Sequence, residues 1–304
     1  MNLKINLGND MFTADYIIAW HRIRMKGLKL LKALNSMKGF DLFIARNQGN
    51  PEWTFISAET DEYPTIPPTS KILFAESKDG FKSNFAKRPE GGFIFESSSA
   101  KGETVVFETG QETDTTIFYG DFSEELLRFA LWLAYGIAVV PTMTLSLHSS
   151  SILYKDKVIL FLGESGTGKS THTRLWLNHI EGAELFNDDS PILRVENKKM
   201  IVYGGPWSGK TPCYRTDSYP LAACVRLYQA PFNKIDRLTK LEAYTALHPS
   251  CPPEFAYDDR LYDFVSEFLG DLISNVPVFK MGCLPDADAA RISCEAIYGS
   301  CLPK

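Results

Sequence analysis

Gly163, Gly168, Lys169 and Ser170 lie in the stretch "VILFLGESGTGKSTHTRLW", Val158 to Trp176, at the spacing G-x-x-x-x-G-K-[ST]. The chemistry of that spacing is anion binding. Its glycines let the backbone curl so that successive N–H groups point inward at phosphate oxygens, and the start of a helix adds free N–H groups of its own. In such a loop Gly163, Glu164, Ser165, Gly166, Thr167, Gly168, Lys169, Ser170 and Thr171 wrap the phosphates of a nucleotide. Lys169 would bridge the β- and γ-phosphates, and the Ser170 hydroxyl would ligate Mg²⁺.

A phosphate cradle also needs an acid on the metal side, usually at the end of a neighbouring strand. "GAELFNDDSPILRVENKKMIVYGGP" offers Asp188 and Asp189 directly after the short apolar run Leu185–Phe186. Adjacent carboxylates point to different sides of an extended chain, so one can hold a metal while the other accepts a proton from an attacking hydroxyl. Asn-Asp-Asp-Ser-Pro is also good turn chemistry, but its place downstream of the loop lysine favours the functional reading. Beyond it, "YGGPWSGKTPCYRTDSYPLAACVRL" contains "SGKT", half of a second phosphate loop without its first glycine. It reads as a loop carrying two cations, Lys210 and Arg215, toward negative charge on a transferring phosphoryl group.

The elements that must position these groups can be read around them. "VILFL" has the unbroken apolar texture of a buried parallel strand, and "KSTHTRLWLNHI" can form the helix that receives the anion. Ile192 to Val195 and Met200 to Tyr203 read as a hairpin. Before residue 120 the chain is strand-rich, with "GGFIFESS", "GETVVFETG" and "TTIFYG", an irregular connection at "YPTIPPTS", and no catalytic constellation. "GDFSEELLRFALWLAYGIA" reads as a helix capped by Asp121 or Ser123, with an apolar stripe through Leu126, Leu127, Ala130, Leu131, Ala134 and Ile137. From Phe129 to Leu147 the chain carries no charge for 19 residues, a length that could span a bilayer. Pro141 and the run Thr142, Thr144, Ser146 break it, so we expect a buried helix ending near Ala138, then a buried strand, and no membrane span. The expected organisation is a strand-rich domain over 1–120, a linking helix over 121–141 and a nucleotide-binding domain over 142–304.

Composition narrows the partners. The 304 residues are 44% hydrophobic and 23% charged, with a formal net charge of -5, which speaks for a globular core and against nucleic acid. The densest basic run, "HRIRMKGLKLLK" from His21 to Lys32, places Ile23, Leu30, Leu31 and Leu34 at helical spacing and reads as a solvated helix face. The six cysteines form no CxxC pair and are expected as free thiols in a reducing cytosol. The opening "MNLKINLGNDMFTADYIIAW" lacks the basic-then-apolar order of a leader, so a cytoplasmic location is expected.

"LHSSSILYKDKVILFLGESGTGKST", followed by "NDDSPI", resembles the nucleotide-binding core shared by HPr kinase/phosphorylase and phosphoenolpyruvate carboxykinase. The resemblance covers roughly residues 142 to 215. It implies an α/β P-loop nucleotide-binding core with a mixed sheet of that type, preceded by a smaller strand-rich α+β N-terminal domain. It also implies a His-bearing strand ahead of the loop strand, which places His148 near the site. By the same resemblance Asp188 is the base and Asp189 joins Ser170 on the metal, with ATP and Mg²⁺ as cofactors and a hydroxyl as acceptor. The family's glycine- and arginine-bearing signature after the Asp pair is missing. The acceptor therefore stays open among HPr protein, a modified peptide, free serine and another small alcohol, and so does self-association. A nucleotide-binding regulatory protein or an ATPase without a phosphoacceptor is the alternative, and the doubled Asp favours the kinase.

Overall fold

The computed structural model describes residues 12–60, 62–78 and 80–302. The first eleven residues, read above for a leader, lie outside the described residues. The chain divides into two compact units, Met1–Thr142 with Pro253–Tyr262, and Met143–Pro252 with Asp263–Lys304. Both are built on large mixed sheets.

The first unit contains β1 (Thr13–Ile18), β2 (His21–Lys26), α1 (Leu28–Ser36), β3 (Trp53–Ser57), β4 (Lys71–Lys78), β5 (Phe81–Lys87), β6 (Phe93–Ser99), β7 (Thr104–Thr109), β8 (Thr115–Gly120) and α2 (Glu124–Val139). The eight strands form one sheet in the order β1-β2-β3-β8-β7-β6-β5-β4. Alternating inward positions place aromatic rings opposite one another. Phe95 stacks on Phe107 at 5.2 Å, Phe107 meets Phe118 at 5.7 Å, and Phe118 meets Phe55 at 5.6 Å. Such cross-strand pairs add to what burial alone contributes. The basic run from His21 to Lys32 is not one helix. Its first half is strand β2, where Ile23 and Met25 are buried while Arg22 and Arg24 pair with Asp15. Ile23 fits a period of two as well as a period of 3.6, and Gly27, at φ 97, starts the helix only at Leu28. Helix α2 starts after Ser123, and with the turn that follows it to Thr142 it is long and apolar enough to cross a membrane. Its side chains Leu127, Leu131, Ala134 and Ile137 are buried. It groups with the first unit, as does the later segment Pro253–Tyr262, a return that no change of texture in the sequence announces.

The second unit contains β9 (Thr144–Ser146), β10 (Ser149–Tyr154), β11 (Lys157–Leu162), α3 (Lys169–His179), β12 (Glu184–Asp189), β13 (Ile192–Glu196), β14 (Lys199–Tyr203), β15 (Ser218–Gln229), β16 (Lys234–Arg237), α4 (Lys240–Leu247), residues 263–275 of α5 (Asp259–Asn275), β17 (Val278–Cys283) and α6 (Ala287–Tyr298). Its main strand path runs β12-β10-β11-β15-β14-β13-β9, and β17 also pairs with β15. Strand β11 is antiparallel to β10 and parallel to β15. Two-residue turns with both residues at positive φ, Lys155–Asp156 and Asn197–Lys198, close the hairpins β10–β11 and β13–β14.

Helices α3 and α6 pack over one core with Ile159, Phe161, Val225 and Met281. A buried polar knot pins them together. Trp176 Nε1 donates to Ser293 Oγ at 2.9 Å, His172 Nε2 lies 3.1 Å from the same oxygen, and Ser293 Oγ can donate to Ala289 O at 3.0 Å. Cys294 and Cys301 are joined by a disulfide, so the expectation of free thiols holds for Cys213, Cys224, Cys251 and Cys283 and fails for this pair. The reason is local. Gly299 ends α6 at φ 77 and turns the chain back, bringing the two Cα atoms to 6.0 Å.

Burial pushes His172 down to about 3 from its usual value, so the folded protein holds it neutral where the unfolded chain binds a proton. Its contribution to stability is complete above about pH 6.5 and is lost as pH falls toward 3, at up to about 1.4 kcal/mol per unit. Denaturant midpoints measured between pH 4 and pH 7 should therefore fall less steeply for His172→Gln than for the parent. Equal slopes would contradict a neutral, buried His172.

Candidate functional site

The segment Gly163–Gly168 leaves the end of β11 and enters α3, between a strand and a helix as its spacing requires. Gly166 and Gly168 have φ values of 82 and 98, which side chains other than glycine's rarely adopt. Gly168 is the N-cap of α3, and among the described residues no side chain caps that turn. A helix start left in this way presents N–H groups and the positive end of the helix dipole to an anion. Lys169 Nζ folds over the loop, donating to Gly163 O at 2.8 Å and Glu164 O at 3.4 Å. Burial lowers its pKa, Arg226 works in the same direction, and the charges of Asp189, Glu164 and Asp188 oppose the shift.

The two aspartates separate as an extended strand demands. Asp188 is buried and Asp189 is half exposed. Ser150 Oγ and Ser170 Oγ donate to Asp188 Oδ1 at 2.7 and 3.1 Å, and Thr211 N–H donates to Oδ2 at 3.3 Å. Asp189 Oδ1 lies instead 3.2 Å from His148 Nδ1. The residue that shares the Ser170 hydroxyl is therefore Asp188, whereas the sequence reading pairs Ser170 with Asp189. Strand β12 lies beside β10, and its inward side chain at this end is Asp188. Asn187 fixes the strand end, accepting from Asp189 N–H at 3.0 Å and Ser190 N–H at 2.9 Å while donating to Trp207 O at 2.9 Å.

His148 occupies the bend between β9 and β10, half exposed, with its N–H bonded to Ser250 O at 2.7 Å. Lys210 also reaches this region through its backbone. Gly209 N–H donates to Asp188 O at 2.9 Å, and Thr211 holds the carboxylate from the other side of Lys210. Only glycine lets the loop lie so close, because a Cβ at Gly209 would stand 2.2 Å from Asp188 O. Arg215 is not brought to the site. Its guanidinium bonds Asp217 at 2.8 Å and Glu184 at 3.0 Å and covers the Phe186 ring. Glu184 begins β12 and lies ~13 Å along the strand from Asp188 at an ordinary rise per residue.

Two residues of β15 complete the loop's surroundings. Arg226 pairs with Glu164, and Gln229 Nε2 donates to Gly166 O at 3.1 Å. Neither is marked by a motif in the sequence; a cation near the carboxyl end of a strand parallel to the loop strand is what the fold makes of Arg226. Beside the loop is a hollow of about 430 Å³, lined by Thr167, Thr171, Leu175, Gln229, Cys283 and Pro285 among others, within the size range of small-molecule sites.

No family model and no curated protein matches this sequence. A solved structure, that of the Hpr(Ser) kinase/phosphatase from Coxiella burnetii, is similar over 50% of this chain and 92% of that one, at 13% identity and a TM-score of 0.28.

The loop geometry yields a direct expectation. Lys169→Ala should lower ATP affinity at least tenfold in a calorimetric titration, since charge-assisted contacts contribute about 1.5–3 kcal/mol each. Unchanged affinity would show that the loop holds no phosphate.

Proposed function

We propose that the second unit binds ATP with Mg²⁺ and transfers the γ-phosphoryl group to a hydroxyl. The observation that carries this reading is the divided aspartate pair. Beside one open helix start, one carboxylate is buried against the loop serine and the other is half exposed against a histidine. A pure binder needs a single acid on the metal side.

Ser170 and Asp188 bring a hydroxyl and a carboxylate oxygen to within 3.1 Å of each other, which suits the hard-oxygen donor set that Mg²⁺ takes when phosphates complete its shell. These two would hold the ion, which when bound neutralises charge on the phosphoryl oxygens. Ser150 and the Thr211 amide keep the Asp188 carboxylate turned toward Ser170. The loop amides and Lys169 would bind the phosphate chain. The hollow beside Gly166 and Gln229 would take the nucleoside. Asp189, open to solvent on the acceptor side, would take the proton from the attacking hydroxyl, with His148 orienting it. Lys210, exposed on the loop that packs against Asp188, would face the acceptor. The roles of the two aspartates are thus exchanged relative to those the family resemblance implies.

The test is incubation with γ-labelled ATP and cell extract from the source organism. Label in a protein, a peptide or a small alcohol supports transfer and names the acceptor class. Label released only as free phosphate favours an ATPase, and bound but intact ATP favours a regulatory nucleotide-binding protein. Asp188→Asn should weaken Mg²⁺-dependent ATP binding. Asp189→Asn should leave that binding nearly intact and reduce transfer by ~10²–10⁴-fold, the usual weight of a general base. Two variants with the same defect would contradict the division of labour.

A further inference from the structure

Arg226 is a cation that the glycine motif does not include. Strand β15 runs parallel to β11 and sets Arg226 opposite Leu162, the last strand residue before the loop. Its guanidinium pairs with Glu164 and reaches Ser250 Oγ at 3.4 Å. The carbonyl of Ser250 accepts the N–H of His148 at 2.7 Å, and His148 in turn meets Asp189. Arg226 therefore stands at the same end of the loop as the His148–Asp189 pair. Three residues further on, Gln229 bonds Gly166 and lines the hollow. The edge of β15 thus gives the site a direction, with the hollow at Gln229 and the acceptor-side pair toward Arg226. The acid flank, β10 and β12, lies on the opposite side of β11 from β15.

Glu164 is an unfavourable group for a loop that collects anions, because its carboxylate repels them. Arg226 neutralises it. The two partners are unequally placed: the Arg226 side chain is 16% exposed and that of Glu164 72%. An ion pair with one solvated partner is easily opened, and the partner free to leave is the glutamate. The arginine stays behind with the planar fork that suits a phosphate.

We propose that Arg226 binds the terminal phosphate of a nucleoside triphosphate, and that Glu164 occupies this arginine until the phosphate displaces it. The proposal rests on the reading of the loop as a phosphate cradle. It makes Arg226 and Glu164 the residues by which the site selects a triphosphate over a diphosphate, since a diphosphate lacks the group that competes for the guanidinium.

Calorimetric titration of the full chain with Mg-ATP and with Mg-ADP tests it. Arg226→Gln should lose about tenfold or more in ATP affinity and less than about threefold in ADP affinity, as expected for one charge-assisted contact made only by the third phosphate. Arg226→Lys should recover part of the loss. Glu164→Gln should raise ATP affinity several-fold and ADP affinity by clearly less, which decides the matter even if Arg226→Gln does not fold. Lys169→Ala should lose both nucleotides, so the cradle and the arginine are judged separately. Equal losses for the two nucleotides in Arg226→Gln, or an unchanged ATP affinity in Glu164→Gln, would make the pair a structural contact only. A parent protein that binds neither nucleotide would overturn the cradle reading and this proposal with it.

Discussion

The hydrogen bond from Ser170 Oγ to Asp188 Oδ1 joins two parts that the chain builds separately, the open start of α3 and the end of β12. Two further contacts hold the carboxylate in place at this junction. Ser150, on the strand between β11 and β12, holds the same carboxylate oxygen at 2.7 Å, and the Thr211 amide holds the other. Asn187 stops the strand so that Asp189 leaves it in the opposite direction. The strand order β12-β10-β11-β15 then does the larger positioning: the loop rises from β11 with acids on one flank and a cation on the other. Loop and acids are far apart in sequence and adjacent only because a mixed sheet interleaves them.

An open helix start and a glycine-rich turn are weak structure, and the core beneath them offsets that weakness. Phe161 lies under His172 at 4.6 Å, Trp176 is wholly buried, and Ser293 of α6 satisfies the indole N–H. Burying the indole N–H with a partner avoids the ~1–3 kcal/mol penalty of an unsatisfied donor. The first unit has its own aromatic core and does not supply any of the residues assigned to the site.

Much of this was legible in the sequence because the decisive signals are local. A glycine spacing, an unbroken apolar strand and an adjacent acid pair after a short apolar run each state their geometry within a few residues, and β11, α3 and β12 lie where those signals are. What could not be read depends on partners far along the chain. Which aspartate faces Ser170 is decided by the side of β12 that packs inward, a property of the sheet. Arg215 looked available because its partners Glu184 and Asp217 are charged and separately placed, and only the fold brings them together. Arg226 was hidden inside an apolar run. The cysteines of α6 and its tail misled for a different reason, since seven residues of separation form a bridge only when a glycine reverses the chain between them. The first half of the basic run, His21 to Lys26, fits both periods over its short length, and sheet pairing makes it a strand, while the helix begins only at Leu28.

Amide hydrogen exchange with and without Mg-ATP measures the central claim most directly, because that claim is that the backbone N–H groups of the loop bind phosphate. Amides from Gly166 to Thr171 should become protected on adding Mg-ATP, and Mg²⁺ alone should leave them unchanged. Nucleotide binding that protects other segments and leaves these six amides exchanging as before would contradict the account.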